Sequence, residues 1–462
     1  MGARGPAARR RQAGPLKRVD APRLVAYDVL VAVREEDAYA NLLLPRLLRE
    51  HGLGGRDAAF ATELVGGTLR GLAAYDAVLD HLASRPPDPA VRDALRLGCH
   101  QLLATRVPSH AAVSATVELV RTRIGHRPAG FVNALLRHVG ERTLDEWMDV
   151  VGASPAVRSS HPQWVVDELA TALDRPEELE ALLAADNQRP LVTLVARPGL
   201  SEVGELPGEP TVSPLGRALA GGDPADVPAV REGRAGVQDA GSQLVALALA
   251  RAAVEGSDVR WLDVCAGPGG KAALLAALAG ERGAALLAHE RQHHRAVLVR
   301  QALRTARPGS VIGVVTGDGT RPAWPTGGFD RALVDAPCSG LGALRRRPES
   351  RWRRRPEDLD ALVPLQRELL AAALDAVRPG GVVAYATCSP VVAETADVVT
   401  ALLGSRDDVV LLDTPTLLPE VTDASSAHLP GAVQLWPHRH GTDAMFVAVL
   451  RRLPAADSPA GR

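Results

Sequence analysis

Between residues 21 and 139 apolar side chains recur every three or four positions, as in Leu24, Val25, Val29 and Leu30 and again in Leu95, Leu97, Leu102 and Leu103. That is the period of amphipathic helices. Proline and glycine fall mainly between the runs, with Ser109 and the Pro86-Pro87-Asp88-Pro89 stretch placed as helix starts or the turns leading into them. The pattern predicts an all-helical domain over 19–143. From 144 to 236 the signals are mixed: Ser160-His161-Pro162-Gln163-Trp164 opens a helix, Leu191-Val192-Thr193-Leu194-Val195 reads as a strand, and 199–236 is rich in Pro, Gly and Ala. This region reads as a loop-rich connection rather than an independent core. After Gln238-Asp239-Ala240-Gly241-Ser242-Gln243 short apolar strands at 259–264, 284–288, 311–315, 332–334 and 382–386 alternate with helices. Over 237–452 this is the signature of an α/β domain with a doubly wound, mostly parallel sheet, whose ligands sit beyond the carboxyl ends of the strands. Residues 1–18 and 453–462 read as disordered tails.

Composition narrows the classes. The four cysteines, Cys99, Cys265, Cys338 and Cys388, contain no C-x-x-C pair, and no His cluster completes a zinc set, so neither a metal nor a disulfide framework is expected. With no apolar leader and no long apolar span, the reading is a cytoplasmic protein without a membrane segment. The formal net charge of −1 hides an uneven distribution. From 345 to 355 seven of eleven residues are Arg against the single acid Glu349, and 1–18 carries five Arg and one Lys with no acid. Both segments suit a polyanion, although the N-terminal arm reads first as a solvated tail. Only two of the 53 basic residues are lysines, Lys17 and Lys271. A lysine kept inside Gly-Gly-Lys suggests that a compact ammonium is needed there.

The chemistry begins where Trp261-Leu262-Asp263-Val264 runs into Cys265-Ala266-Gly267-Pro268-Gly269-Gly270-Lys271 and an alanine- and leucine-rich helix. Glycines there let backbone amides approach a ligand at a helix N-terminus. An acid, Glu290, follows twenty-three residues after Gly267 at the end of the next strand, placed for ribose hydroxyls. Asp318 follows the third strand, as a ligand contact or a turn former. Ala272 lacks the hydroxyl of a magnesium-binding loop and Pro268 disfavours a dinucleotide turn, so S-adenosylmethionine fits best.

Two further phrases, Asp335-Ala336-Pro337-Cys338-Ser339 and Thr387-Cys388-Ser389-Pro390, each follow a predicted strand. Carbon 5 of cytosine is a poor nucleophile until a thiolate adds at carbon 6, after which a base must remove the C5 proton to free the enzyme. Two thiols have two natural roles here, nucleophile and release, and Asp335 can meet the cytosine edge. A flipped or single-stranded base is required. Cys99, inside the helical pattern, reads as a small buried hydrophobe. The arginines of 345–355, with Trp352, lie just after the Pro-Cys phrase, where they would neutralise phosphates and stack on bases, Arg351 and Trp352 being partly structural.

Cys265-Ala-Gly-Pro-Gly-Gly-Lys271, Asp335-Ala-Pro-Cys-Ser-Gly-Leu-Gly342, Arg345-Arg346, Arg351-Trp352 and Thr387-Cys-Ser-Pro390 together resemble the RNA 5-methylcytosine methyltransferases. The resemblance implies that Cys388 is the nucleophile and Cys338 aids product release, with Asp335 and Lys271 beside them. It implies cofactor contacts from Cys265, Ala266, Gly267, Pro268, Gly269, Gly270, Lys271, Glu290, Asp318 and Asp335, and RNA contacts from Arg345, Arg346, Arg351, Arg353 and Arg354. In the first half, Ala61-Thr-Glu-Leu-Val65, Pro108-Ser-His-Ala-Ala-Val113 and Phe131-Val-Asn-Ala-Leu-Leu-Arg137 are similar to the NusB-type helical domain. That order of domains resembles the RsmB/Sun family of bacterial 16S rRNA (cytosine-C5) methyltransferases. It implies a seven-stranded Rossmann-like catalytic sheet, S-adenosylmethionine as cofactor, and 16S rRNA, naked or in an early assembly intermediate, as partner of a monomer with no obligate protein partner. The alternatives are the same chemistry on tRNA, or a non-catalytic RNA-binding assembly factor. Where that family usually has Ala and Thr this chain has Gly267 and Ala272, and its acid-rich phrase after the nucleophile shrinks to Glu394-Thr395-Ala396-Asp397, which weakens the case for a role of Glu394.

Overall fold

The computed structural model describes residues 20–454; the two expected tails, 1–18 and 453–462, lie outside that range except for 453–454. The chain divides into two compact units, 1–160 and 161–462.

The first unit is helical. Its helices include Ala21–Glu35, Gly55–Arg70, Leu72–Leu82, Pro89–Leu103, Ser109–Arg123 and Ala129–Val139, so the predicted starts at Ser109 and near Pro89 are the observed ones. Asp20 caps the first by accepting the Arg23 amide at 3.2 Å, satisfying one of the donors a helix start leaves open. The three-four periodicity becomes one core in which Val25, Val29, Leu64, Leu95, Leu97, Leu119, Val132 and Leu136 are fully or nearly fully buried. Cys99 lies within that core, and burial pushes its thiol well up, so it is inert as a nucleophile. The unit runs on through Leu144–Val150, whose Thr143 and Glu146 form a reciprocal capping box, and Pro155–Arg158. The helical pattern therefore extends past 143, because Trp147 and Met148 pack into the same core.

In the second unit, the strands are β1 (Val192–Ala196), β2 (Glu209–Pro210), β3 (Gly216–Leu219), β4 (Ala235–Val237), β5 (Arg260–Asp263), β6 (Ala285–Glu290), β7 (Val311–Thr316), β8 (Phe329–Asp335), β9 (Val377–Thr387), β10 (Val409–Leu411), β11 (Val433–Gln434) and β12 (Phe446–Arg452). The first four make an antiparallel sheet in the order β2-β3-β1-β4. The stretch 199–236 is thus not a loose connection. Leu194, Ala196, Leu206, Val227, Ala229 and Ala235 bury a small core beneath it, which short strands separated by Pro and Gly conceal from a periodicity reading.

The main sheet has the order β10-β12-β9-β8-β5-β6-β7, with β11 paired to β12. From β9 to β7 every pairing is parallel, while β12 enters antiparallel beside β9 and β10 joins it antiparallel. Helices cover both faces. Ala240–Arg251, Gly270–Gly280 and His293–Leu303 pack one side through Leu244, Leu274, Leu275 and Val299, and Asp358–Ala376 and Ala396–Leu403 pack the other through Leu369, Leu370, Leu374 and Val398. Strands buried on both faces read as continuous apolar runs, which is why β5, β6, β8 and β9 are visible in the sequence; β7, at the sheet edge, is apolar but partly exposed. The chain leaves β5 for β6 and β7 on one side and then returns to β8 and β9 on the other. That reversal opens a crevice beyond the carboxyl ends of β5 and β8.

Candidate active site

The glycine-rich turn leaves β5 at the crevice. Val264 N donates to Leu333 O of β8 and Ala266 N to His289 O of β6, at 2.9 and 2.8 Å, so the turn is stitched to both neighbouring strands. A Cβ on Gly267 would lie 2.2 Å from Glu290 Oε2, and one on Gly269, at φ +114°, 2.6 Å from the Ala302 Cβ. At Gly269 the positive φ and the close helix demand glycine, while at Gly267 an added methyl would displace the Glu290 carboxylate. Glu290 accepts the Gly267 amide at 3.0 Å and the Gln292 amide at 2.9 Å, and Arg295 donates to Gly267 O at 2.6 Å. The structure therefore brings Glu290 to the turn as its brace. Asp318 is exposed and accepts the amide and hydroxyl of Thr320 at 3.0 and 2.8 Å, bonds that hold its carboxylate below its ordinary range. This is the turn-forming alternative, realised at the rim of the crevice. Cys265 is kept a neutral thiol, raised well above its ordinary value first by burial and then by Asp263 and Asp335.

Asp263, at the end of β5, is fully buried, and its Oδ2 has no hydrogen-bond partner among the described residues. Burial, and then the neighbouring Asp335 charge, push its carboxyl up to about 8. The folded chain holds that proton well above the ordinary value of 3.8, so the stabilisation is fully present below the unfolded value and is lost as pH rises through the folded one. Thermal melts are expected to show the Tm of Asp263→Asn falling less steeply than wild type between about pH 4 and 8. Parallel slopes would show the carboxyl to be already ionised. This orphaned acceptor, the bare Gly270 with open space beside it, and the N-terminus of Gly270–Gly280 make a polar cradle that fits a nucleoside carrying a charged amino-acid arm.

Across the crevice, β8 and β9 run parallel with Asp335 beside Ala386, and Ala336 N donates to Ala386 O at 2.8 Å. The two cysteine loops therefore leave the sheet side by side. Cys338 Sγ and Cys388 Sγ are 3.5 Å apart. The shared hydrogen bond, assisted by Lys271, holds the Cys388 thiol below its ordinary value against burial, whereas the same bond and then burial push Cys338 far up. The proton is therefore held more tightly on Cys338 than on Cys388. Lys271 Nζ bonds Asp335 Oδ2 at 2.9 Å; burial disfavours the ammonium, and Asp335 outweighs it, so the lysine stays charged. The structure thus gathers Lys271, Asp335, Cys338 and Cys388 into one cluster.

Sequence reasoning missed the frame around these thiols. Glu394 is fully buried and accepts from Ser339 N at 2.8 Å, Ser339 Oγ at 2.5 Å and Gln366 Nε2 at 3.0 Å, while Gln366 Nε2 also donates to Pro337 O at 2.8 Å. The shortened acidic phrase therefore retains the carboxylate that braces the Cys338 loop, a role that the shortening of the phrase had made weaker as an expectation. Gly342 N donates to Cys388 O, and Gly342 O accepts from Ala444 N, both at 2.9 Å. A Cβ there would sit 2.0 Å from Ala444 O, so this glycine locks three loops together. Its place in the Pro-Cys-Ser-Gly-Leu-Gly phrase was the available signal.

The arginine run divides. Arg345 turns inward, with Asp443 at 3.5 Å and Asp239 at 3.7 Å, and Arg351 is completely buried, donating to Asn187 Oδ1 at 2.9 Å. Both expected RNA contacts are corrected: their guanidinium groups are consumed by acceptors distant in sequence, which a local count of arginines cannot show. Arg354 Nε donates to Ser339 O at 3.1 Å and pairs with Asp358. Arg346 pairs with Asp443 yet keeps 40% of its side chain exposed, and Arg353 is half-buried.

A family model described as 16S rRNA methyltransferase RsmB/F matches residues 250–451, and a NusB family model matches 20–141. Ribosomal RNA small subunit methyltransferase B of Salmonella typhi is 35% identical, covering 85% of this chain and 92% of its own. The chain belongs to the RsmB/F methyltransferase family. A Mycobacterium tuberculosis protein named as a methyltransferase is 51% identical over 96% of this chain and 99% of its own. The crystal structure of PH0851 shares the fold, with TM-score 0.75 at 21% identity over 94% of this chain and 99% of its own. As an RsmB/F member the chain is an S-adenosylmethionine-dependent RNA methyltransferase, and every residue of the thiol cluster lies inside the matched interval. Among the described residues no group of three or more His, Cys, Asp or Glu is placed to hold a metal, and no helix is long and apolar enough to cross a membrane.

Proposed function

We propose that this RsmB/F protein methylates carbon 5 of a cytidine in 16S rRNA through a covalent adduct, acting in the cytoplasm as a monomer. The observation that carries the reading is the pair of thiols at neighbouring strand ends, 3.5 Å apart and of opposite protonation tendency. Amine methylation needs no thiol; carbon methylation of a pyrimidine needs a nucleophile and a base. Cys388 adds to C6 of a flipped cytosine, the C5=C6 electron pair moves through the ring toward N3 and O2, and C5 gains nucleophilic character. S-adenosylmethionine, when bound, supplies the methyl group from its sulfonium. Once the Cys388 sulfur is bonded to carbon, Cys338 gives its own proton to solvent, and as thiolate it takes the C5 proton while the Cys388 sulfur departs from C6. Lys271 keeps the thiolate favoured, and Asp335 meets the N3 edge.

For the cofactor, the turn from Cys265 to Gly270, Asp263 and Glu290 supply the cradle, with Asp318 at its rim. On the RNA side, Arg353 and Arg354 flank the Cys338 loop. Arg353→Ala is expected to lower RNA affinity with a salt slope lower by about 0.7, as for one phosphate contact on a single strand. An unchanged slope in a binding titration removes Arg353 from the interface.

The function is tested by incubating the full chain with methyl-labelled cofactor and unmodified 16S rRNA, with tRNA in parallel. The expected product is 5-methylcytosine in the rRNA digest. Label on an exocyclic amine or ribose, or label in tRNA alone, overturns the reading.

A further inference from the structure

Addition of a thiolate to C6 moves a full negative charge from sulfur onto the N3–C2–O2 edge of the pyrimidine. Lys271 is already committed to Asp335, and Arg345 is buried between Asp239 and Asp443. A further cation stands at the thiols. Arg346 follows the turn in which Gly342 N bonds Cys388 O, and its own amide donates to Ala343 O at 3.0 Å. Asp443 precedes Ala444, the residue bonded to Gly342 from the other side. Two short backbone connections therefore hold Arg346 and Asp443 beside the loop that carries Cys388.

Asp443 is fully buried. Its Oδ2 grips one terminal nitrogen of Arg346, its Oδ1 faces Arg345, and its amide donates to Asp239 Oδ2 at 3.2 Å. Two acids and two arginines thus form a neutral, interlocked set. Within it only Arg346 is substantially open to solvent, at 40% of its side chain. A surface arginine reading phosphate needs no buried carboxylate behind it; a guanidinium that must hold one direction does. Burial works against the Arg346 charge, but Asp443 and then Asp239 outweigh it, and the Cys388 sulfur adds to the same effect, so the cation is permanent.

Resting on the cytosine-C5 reading, the geometry points to Arg346 as a catalytic residue that receives the charge developing on O2 of the target cytosine when Cys388 adds to C6, with Asp443 as its positioning residue. In that step the Cys388 sulfur–C6 bond forms, the C5=C6 π pair shifts to C4–C5, and the displaced C4=N3 pair comes to rest on N3 and O2. Asp335 faces the first and Arg346 the second. Nothing is oxidised and no group leaves.

The test is single-turnover methyl transfer at saturating RNA by the full chain, alongside RNA-binding titrations. Arg346→Ala is expected to lower the single-turnover rate about 100-fold, the usual effect of losing one donor to a developing oxyanion, with RNA affinity within about threefold of wild type. Added millimolar guanidinium is expected to restore part of that rate. Arg346→Lys keeps the charge without the fork, and Asp443→Asn keeps the shape without the anchor; each is expected to cost about 10-fold, and combined with Arg346→Ala the Asn change should add little. If instead affinity falls, the salt slope drops and the saturated rate stays at wild type, Arg346 is a phosphate contact and the inference is overturned. A wild-type chain that makes no 5-methylcytosine overturns the parent reading; a wild type that makes it with unaffected Arg346 variants overturns this one alone.

Discussion

Replacing Cys388 by alanine is expected to reduce methyl transfer by on the order of 10⁴-fold or more, the scale on which loss of a covalent nucleophile acts, while RNA binding is retained. The size follows from the role. Without a sulfur at C6 the ring carbon cannot gain nucleophilic character, and no other described side chain can take its place: Cys338 is kept protonated, Cys265 is buried neutral beside Asp263, and Lys271 is held charged by Asp335. The retained binding follows from position, since Cys388 ends β9 and is enclosed by hydrogen-bonded loops rather than forming a basic surface. Labelled-methyl incorporation and a parallel binding titration measure both. A Cys388→Ala chain that keeps its rate, with Cys338→Ala inactive and free of adduct, would exchange the two roles.

Cys338→Ala is expected to do the opposite of a simple loss: it should accumulate a covalent protein–RNA species. After the methyl group has joined C5, the proton on that carbon must leave before the sulfur–C6 bond can break. Cys338 Sγ, 3.5 Å from the nucleophilic sulfur, is the placed acceptor once the carbon–sulfur bond has formed and its own proton has passed to solvent, and its removal blocks the second half of the reaction more than the first. The same sulfur also donates the hydrogen bond that lowers Cys388. Its loss moves the Cys388 thiol back up, so adduct formation by the variant should grow as pH rises through the ordinary thiol range, while wild type is already active below it. A slow band on a denaturing gel, dependent on cofactor and RNA and stronger at higher pH, is the expected readout. Full turnover with no adduct at any pH would take Cys338 out of the mechanism.

The frame of the fold was legible because its signals are local. Helical periodicity marked the first unit, and β5, β6, β8 and β9 appeared as short apolar runs since both their faces are covered, with β7 at the sheet edge an apolar run that stays partly exposed. Less legible were β12, whose antiparallel addition beside β9 depends on a partner about sixty residues away, and β10 and β11, whose only strand partner is β12. Of the sheet at 192–237 only the first strand was read, for a related reason: the other three are two to four residues long, too short for a period to show, and they are held by pairing rather than propensity. The arginine run misled in one respect. Charge density along the chain suggested a basic face, yet Arg345 and Arg351 spend their charge on Asp239, Asp443 and Asn187.

By itself the sequence determined the chemistry available: a glycine turn at a strand end, one lysine within it, two thiols each closing a strand, and a helical first half. Those properties reside in residue type and spacing, which short-range sterics and hydrogen bonding translate directly into local structure. Only the tertiary structure decided which groups meet. It set the sulfurs beside each other with unequal proton affinity, gave Glu394 the Cys338 loop to hold, and turned Asp443 toward Arg346 across 97 residues. Burial and charge neutralisation are satisfied in space, and the partners they select lie far apart along the chain.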